Sequence, residues 1–90
     1  MKKGYAVVFE KNAMEAYFKL DKSIKARIRK SLEKLKGEIA TRSLHGHPEI
    51  FVLEIGQYRA LYLVDEGSWQ KIVVFVGDHK EYEKRYRKMF

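Results

Sequence analysis

Arg59, His79, Tyr82 and Tyr86 are the residues whose types and spacing could do chemistry. They lie in the C-terminal half of the chain, in IFVLEIGQYRALYLV and then KIVVFVGDHKEYEKRYRKMF. A guanidinium stays charged and presents a planar fork of donors matched to phosphate oxygens. An imidazole takes or gives a proton near neutral pH. A tyrosine stacks on an extruded base or offers its hydroxyl to a phosphate. Together these are the parts needed to bind RNA and cut it through the 2′-hydroxyl, where one group removes that proton and another protonates the leaving 5′-oxygen. Each has a plainer reading as well. Arg59 could stack on Tyr58 or pair with Glu54 across a hairpin, His79 could be an inert surface histidine, and the tyrosines could seal a sheet edge.

The charge balance favours a polyanionic partner. The 90 residues carry a formal net charge of +7. From Lys19 to Lys36 there are eight Lys or Arg against Asp21 and Glu33. Such a surplus suits nucleic acid, an anionic membrane surface or an acidic protein, although a Lys-rich helix face is often only solvated surface. Lys25 and Arg29 in this stretch, and Lys80, Lys84, Arg85, Arg87 and Lys88 near the tail tyrosines, are candidate phosphate contacts that would position RNA without reading its sequence. There are no cysteines, which removes disulfides and thiolate metal sites. His45 and His47 form an H-x-H pair, but two ligands without a third make a weak metal site. No metal or cofactor is therefore expected. No apolar run reaches the roughly 20 residues needed to span a bilayer, and the N-terminal apolar segment is too short for a signal peptide. The chain reads as soluble and cytoplasmic.

The elements that must position these groups follow from periodicity. Tyr5 to Phe9 is a short β-prone run. Asn12 and Glu15 have the spacing of a helix-opening cap, so a first helix is expected to run to about Leu20 and bury Met14, Tyr17 and Phe18. A second helix should start near Asp21 or Ser23, with Ile24, Ile28, Leu32 and Leu35 on one stripe and Gly37 as its stop. Glu38 to Glu49 reads as a connector broken by Gly46 and Pro48. Three strands are expected at about Ile50–Ile55, Tyr58–Val64 and Lys71–Val76, joined by a Gly56-Gln57 hairpin and a turn at Asp65 to Ser68. Trp69 in that turn reads as an interface anchor or a plug at the core edge. The tail from Lys80 could form a short basic helix. The order β-α-α-β-β-β predicts a single α+β domain over residues 1–90, a curved, mainly antiparallel sheet with the helical hairpin on one face.

The order of elements, the GQYRALY strand and the VVFVGDHKEYEK segment resemble the RelE/ParE superfamily of type II toxins. The ending GDHKEYE is most similar to the histidine box of its HigB branch. That resemblance implies an mRNA interferase that cuts message in the ribosomal A site without metal, with Arg59 on the scissile phosphate and His79 moving a proton. It implies a cognate antitoxin that wraps the basic surface, and contacts to 16S ribosomal RNA. RelE-like members carry lysines in the strand before the YR motif, where this chain has Val52 and Glu54. Glu54 is thus either a general base, as carboxylates are in some relatives, or a group that neutralises Arg59. ParE-like members poison DNA gyrase on the same fold, so a gyrase-directed toxin and a degenerate binding relative are the competing readings.

Overall fold

A computed structural model describes residues 4–37, 41–44 and 46–86. One five-stranded sheet in the order β1-β5-β4-β3-β2 organises them. The strands are β1 (Ala6–Phe9), β2 (Arg42–Leu44), β3 (His47–Ile55), β4 (Tyr58–Asp65) and β5 (Gln70–Asp78). β1 runs parallel to β5, and the other pairs are antiparallel. Helices α1 (Lys11–Phe18) and α2 (Lys22–Glu33) form the hairpin after β1, and α3 (His79–Tyr86) follows β5 directly. The expected α+β architecture is present.

Two departures from the expected elements have local causes. Glu10 N–H continues the β1–β5 ladder to the Val73 carbonyl, and its side chain then accepts from Asn12 N–H at 3.0 Å. Glu10 rather than Asn12 is therefore the cap, and α1 starts earlier than expected. Ala13 and Tyr17, four residues apart, face the sheet, which turns Met14 and Phe18 outward, 42% and 63% exposed rather than buried. The connector also holds a strand, β2. Pro48, read as a breaker, sits where the β2–β3 register shifts between Ser43 and Leu44, a place that does not need its missing N–H.

The sheet is covered on both faces. Ile28 and Leu32 of α2, with Leu35 of the 3-10 turn that closes it, pack with Leu53, Ala60, Tyr62, Val73 and Val76 on one face. On the other, Leu44, Val52, Leu61 and Phe75 gather under Tyr82 and Tyr86 of α3. Val73 and Val76 share a face although they are three apart, because the β4–β5 register shifts beside Leu61 and Tyr62. Val74 is the extra residue, so Val74 and Phe75 both serve the α3 face. Lys71, near the start of β5, is 4% exposed, donates to the Gly37 carbonyl at 2.8 Å and lies over the Tyr5 ring at 4.5 Å.

Candidate active site

A cleft of about 510 Å³ opens at the end of the β4–β5 ladder, lined by Gly56, Gln57, Arg59, Asp78, His79 and Lys80. It exists because two chain reversals meet there. The β3–β4 turn is only Gly56-Gln57, and Gly56 takes φ +60°, which a side chain would strain. Tyr58 and Arg59 then pair with Asp78 and Gly77. The ladder gains one more rung when His79 N–H donates to the Gln57 carbonyl at 2.7 Å. The turn and the first residue of α3 are thereby tied together.

Arg59 is fixed at the root of this cleft. Its Nη1 donates to the carbonyls of Gly56 and Tyr58, both at 3.0 Å, and its buried Nε has no partner. No carboxylate among the described residues neutralises the guanidinium. A charge held by backbone dipoles alone, with donors to spare, suits an incoming oxyanion. Glu54 lies directly opposite Arg59 in the β3–β4 register. Its carboxylate turns instead to Arg42 at 2.7 Å, beside a separate depression formed with Thr41, Val52 and Leu53. Of the two roles considered for Glu54, neutralisation of Arg59 does not occur, because β2 supplies a competing guanidinium diagonally across the sheet.

His79 opens α3 with its imidazole half-exposed, Nε2 lying 3.2 Å from Glu83 Oε2 one turn later. Asp78 caps the same helix by accepting from Glu81 N–H at 2.8 Å. The positive end of the helix dipole thus points into the cleft, with the Asp78 carboxylate partly offsetting it.

A family model described as the ParE toxin of type II toxin–antitoxin systems, parDE, matches residues 7–82. The chain belongs to the ParE toxin family. No curated protein sequence matches it. Among solved structures, it is similar to the isolated RelE toxin of E. coli at 20% identity and TM-score 0.73, over 96% of this chain and 99% of that one. It is also similar to the toxin–antitoxin complex RelBE2 of Mycobacterium tuberculosis at 23% identity and TM-score 0.76, over 87% and 94%. A third likeness is the archaeal RelE–RelB complex of Pyrococcus horikoshii OT3, at 19% identity and TM-score 0.67, over 83% and 94%. At such identities these structures establish the shared fold.

On this ParE-family scaffold the remaining candidates divide. Arg59, His79 and Lys80 share the cleft. Tyr82 and Tyr86 belong to the core cluster beneath α3: Tyr86 meets Phe75 edge-on at 5.3 Å and Tyr82 at 5.8 Å. Burial pushes the Tyr86 phenol above its ordinary range, with Arg85 opposing the shift. Arg85 itself lies over the Phe75 ring at 5.8 Å, and Lys84 is exposed. Lys25 and Arg29 are not brought to the cleft. Lys25 sits over the Phe18 ring at 5.7 Å, and Arg29 lines a groove with Met14, Phe18 and Lys36 between the hairpin and β1. His47 faces Glu49 at 3.8 Å. His45, Arg87 and Lys88 lie outside the described residues.

The sequence pointed to Gln57 only as a turn residue, and it did not single out Asp78, Glu83, Arg42 or Arg27. Two of these carried a signal. Asp78 and Glu81 have the spacing of a capping box, and His79 and Glu83 that of a helical i,i+4 pair. Arg27 had none. A Cβ built on Gly56 would come within 2.5 Å of Arg27 Nη2, so α2 delivers a second guanidinium against the turn that frames the cleft.

Proposed function

We propose that this chain is the toxin half of a toxin–antitoxin pair and a metal-independent endoribonuclease that cuts ribosome-bound mRNA and so halts translation. The observation that carries this reading is the meeting of Arg59 and His79 on one cleft, with the guanidinium unneutralised. Arg59 holds the scissile phosphate and stabilises the charge that grows on it, since donors fixed in advance cost no reorganisation during reaction. His79 moves a proton, either from the 2′-hydroxyl or to the leaving 5′-oxygen. Tyr82 contributes by holding α3 on the sheet, which places His79. Glu54, engaged by Arg42, supports that ion pair rather than proton transfer. Lys80, Lys84 and Arg85 attract the RNA backbone and 16S ribosomal RNA. The partner is a cognate antitoxin, as in the solved complexes of similar fold, and the compartment is the cytoplasm.

The test is cleavage of mRNA on programmed ribosomes by purified protein, mapped by primer extension, beside His79→Ala and Arg59→Ala. Cuts that vanish in both variants, with the fold intact, are expected. Undiminished cutting by both would remove this cleft from the reaction.

The ParE family match supports a second reading, a gyrase-directed toxin that cuts no RNA. An SOS response with gyrase-trapped DNA breaks, and no message cleavage, would select it.

A further inference from the structure

Arg27 and Arg59 approach the Gly56-Gln57 turn from opposite elements. Arg59, on β4, donates to the Gly56 carbonyl at 3.0 Å. Arg27, on α2, lies so close to the Gly56 α-carbon that a methyl group there would meet Nη2 at 2.5 Å. Neither guanidinium is paired with a carboxylate among the described residues, and Arg27 is exposed. Two like charges drawn to one glycine favour an anion over either alone. Residue type matters at Gly56 for the same reason, because any side chain would displace Arg27.

We infer that Arg27 is a second phosphate seat, which holds the phosphodiester next to the one at Arg59 as single-stranded RNA crosses the turn. This rests on the reading of the cleft as an RNA-cutting site. A nucleic-acid strand carries one charge per nucleotide, so a strand seated at Arg59 must present another charge one step along its backbone. Arg27 lies against the turn, whereas Lys25 sits over the Phe18 ring and Arg29 lines the groove beside the hairpin. Lys80, which lines the cleft with Arg59, would track the strand as it leaves. A planar fork beside the turn can meet a phosphate through two donors at once, which a lysine ammonium would not.

The experiment measures binding of the full chain to a 2′-O-methylated RNA hexamer, which cannot be cut through its 2′-hydroxyls, by fluorescence anisotropy across a salt series. Arg59→Ala and Arg27→Gln are each expected to raise Kd about tenfold and to reduce the salt slope by about 0.7, one phosphate's share for a single strand. Thermal unfolding confirms that each variant is folded, and Arg27→Lys, which retains the charge, should recover most of the salt slope. One methylphosphonate, placed beside the phosphate that Arg59 senses, should cancel the effect of Arg27→Gln. Loss with Arg59→Ala but no change with Arg27→Gln overturns this inference and leaves the cleft reading standing. No binding by the unaltered chain, or binding indifferent to Arg59→Ala, removes the cleft reading and this inference with it. Weaker binding of Arg27→Gln to polyglutamate alone would assign Arg27 to an acidic protein and overturn the phosphate seat.

Discussion

His79 is bound to Gln57 through the backbone: its N–H donates to the Gln57 carbonyl at 2.7 Å, one rung beyond the last β4–β5 pair. The imidazole is therefore positioned by the hairpin turn that also shapes Arg59, although some twenty positions separate them in the chain. Anything that moves the turn moves both groups at once.

Gly56→Ala tests that coupling. The turn holds φ +60° at this residue, and an added methyl group would collide with Arg27 Nη2. A loss of about 1–2 kcal/mol in stability is expected from the left-handed backbone. Activity should fall further than stability accounts for. A urea unfolding midpoint equal to that of the natural chain would show that the turn tolerates a side chain.

Arg59→Lys retains the charge but loses the fork. The ammonium cannot hold the Gly56 and Tyr58 carbonyls and a phosphate in the same geometry. Cleavage on programmed ribosomes should drop about 100-fold or more, the usual loss on removing a fixed oxyanion donor. Retention of most of the activity would reduce Arg59 to a point charge.

The raised phenols of Tyr62 and Tyr86 are expected to weaken the fold at alkaline pH. Burial raises both phenols above 10.0; the hydrogen bond to Thr41 partly opposes this at Tyr62, and Arg85 does so at Tyr86. A raised folded-state value means that the unfolded chain loses its protons first as pH climbs. The contribution of these groups is fully present below the unfolded value of about 10 and is lost above it. Urea midpoints should fall as pH passes about 10, and less steeply in Tyr62→Phe. The same variant should lose about 1 kcal/mol at neutral pH with the Thr41 hydrogen bond. An equally steep alkaline fall in Tyr62→Phe would place the titration elsewhere.

Lys71→Ala should be among the more damaging single changes in the sheet. It removes a buried stem, the contact with Tyr5 and the donor to Gly37, where the chain leaves α2 and its closing 3-10 turn. A cost of about 2–4 kcal/mol is expected in a urea titration. A loss under about 0.5 kcal/mol, the range of an ordinary surface change, would contradict that role.

Much of the fold was legible because the signals are local. The Ile24, Ile28, Leu32 and Leu35 stripe, the Gly56-Gln57 turn and the apolar runs of β3 to β5 each encode their element within a few residues. β2 was not legible, since three residues of mixed polarity become a strand only when β3 offers its edge. The exposure of Met14 and Phe18 was also hidden. It depends on where α1 begins, and the β1–β5 ladder set that point by carrying pairing through Glu10.

The sequence by itself singled out Arg59 and His79 as candidates by residue type, and it determined the order of elements that carries them. Tertiary structure decided which groups meet. It turned Glu54 to Arg42, placed Tyr86 against Phe75, shifted the β5 register at Val74 and brought Arg27 to Gly56. Periodicity is a property of neighbouring residues and can be read from them. Register, diagonal pairing and the approach of a helix to a turn depend on contacts between distant segments, and these are fixed only when the whole sheet packs.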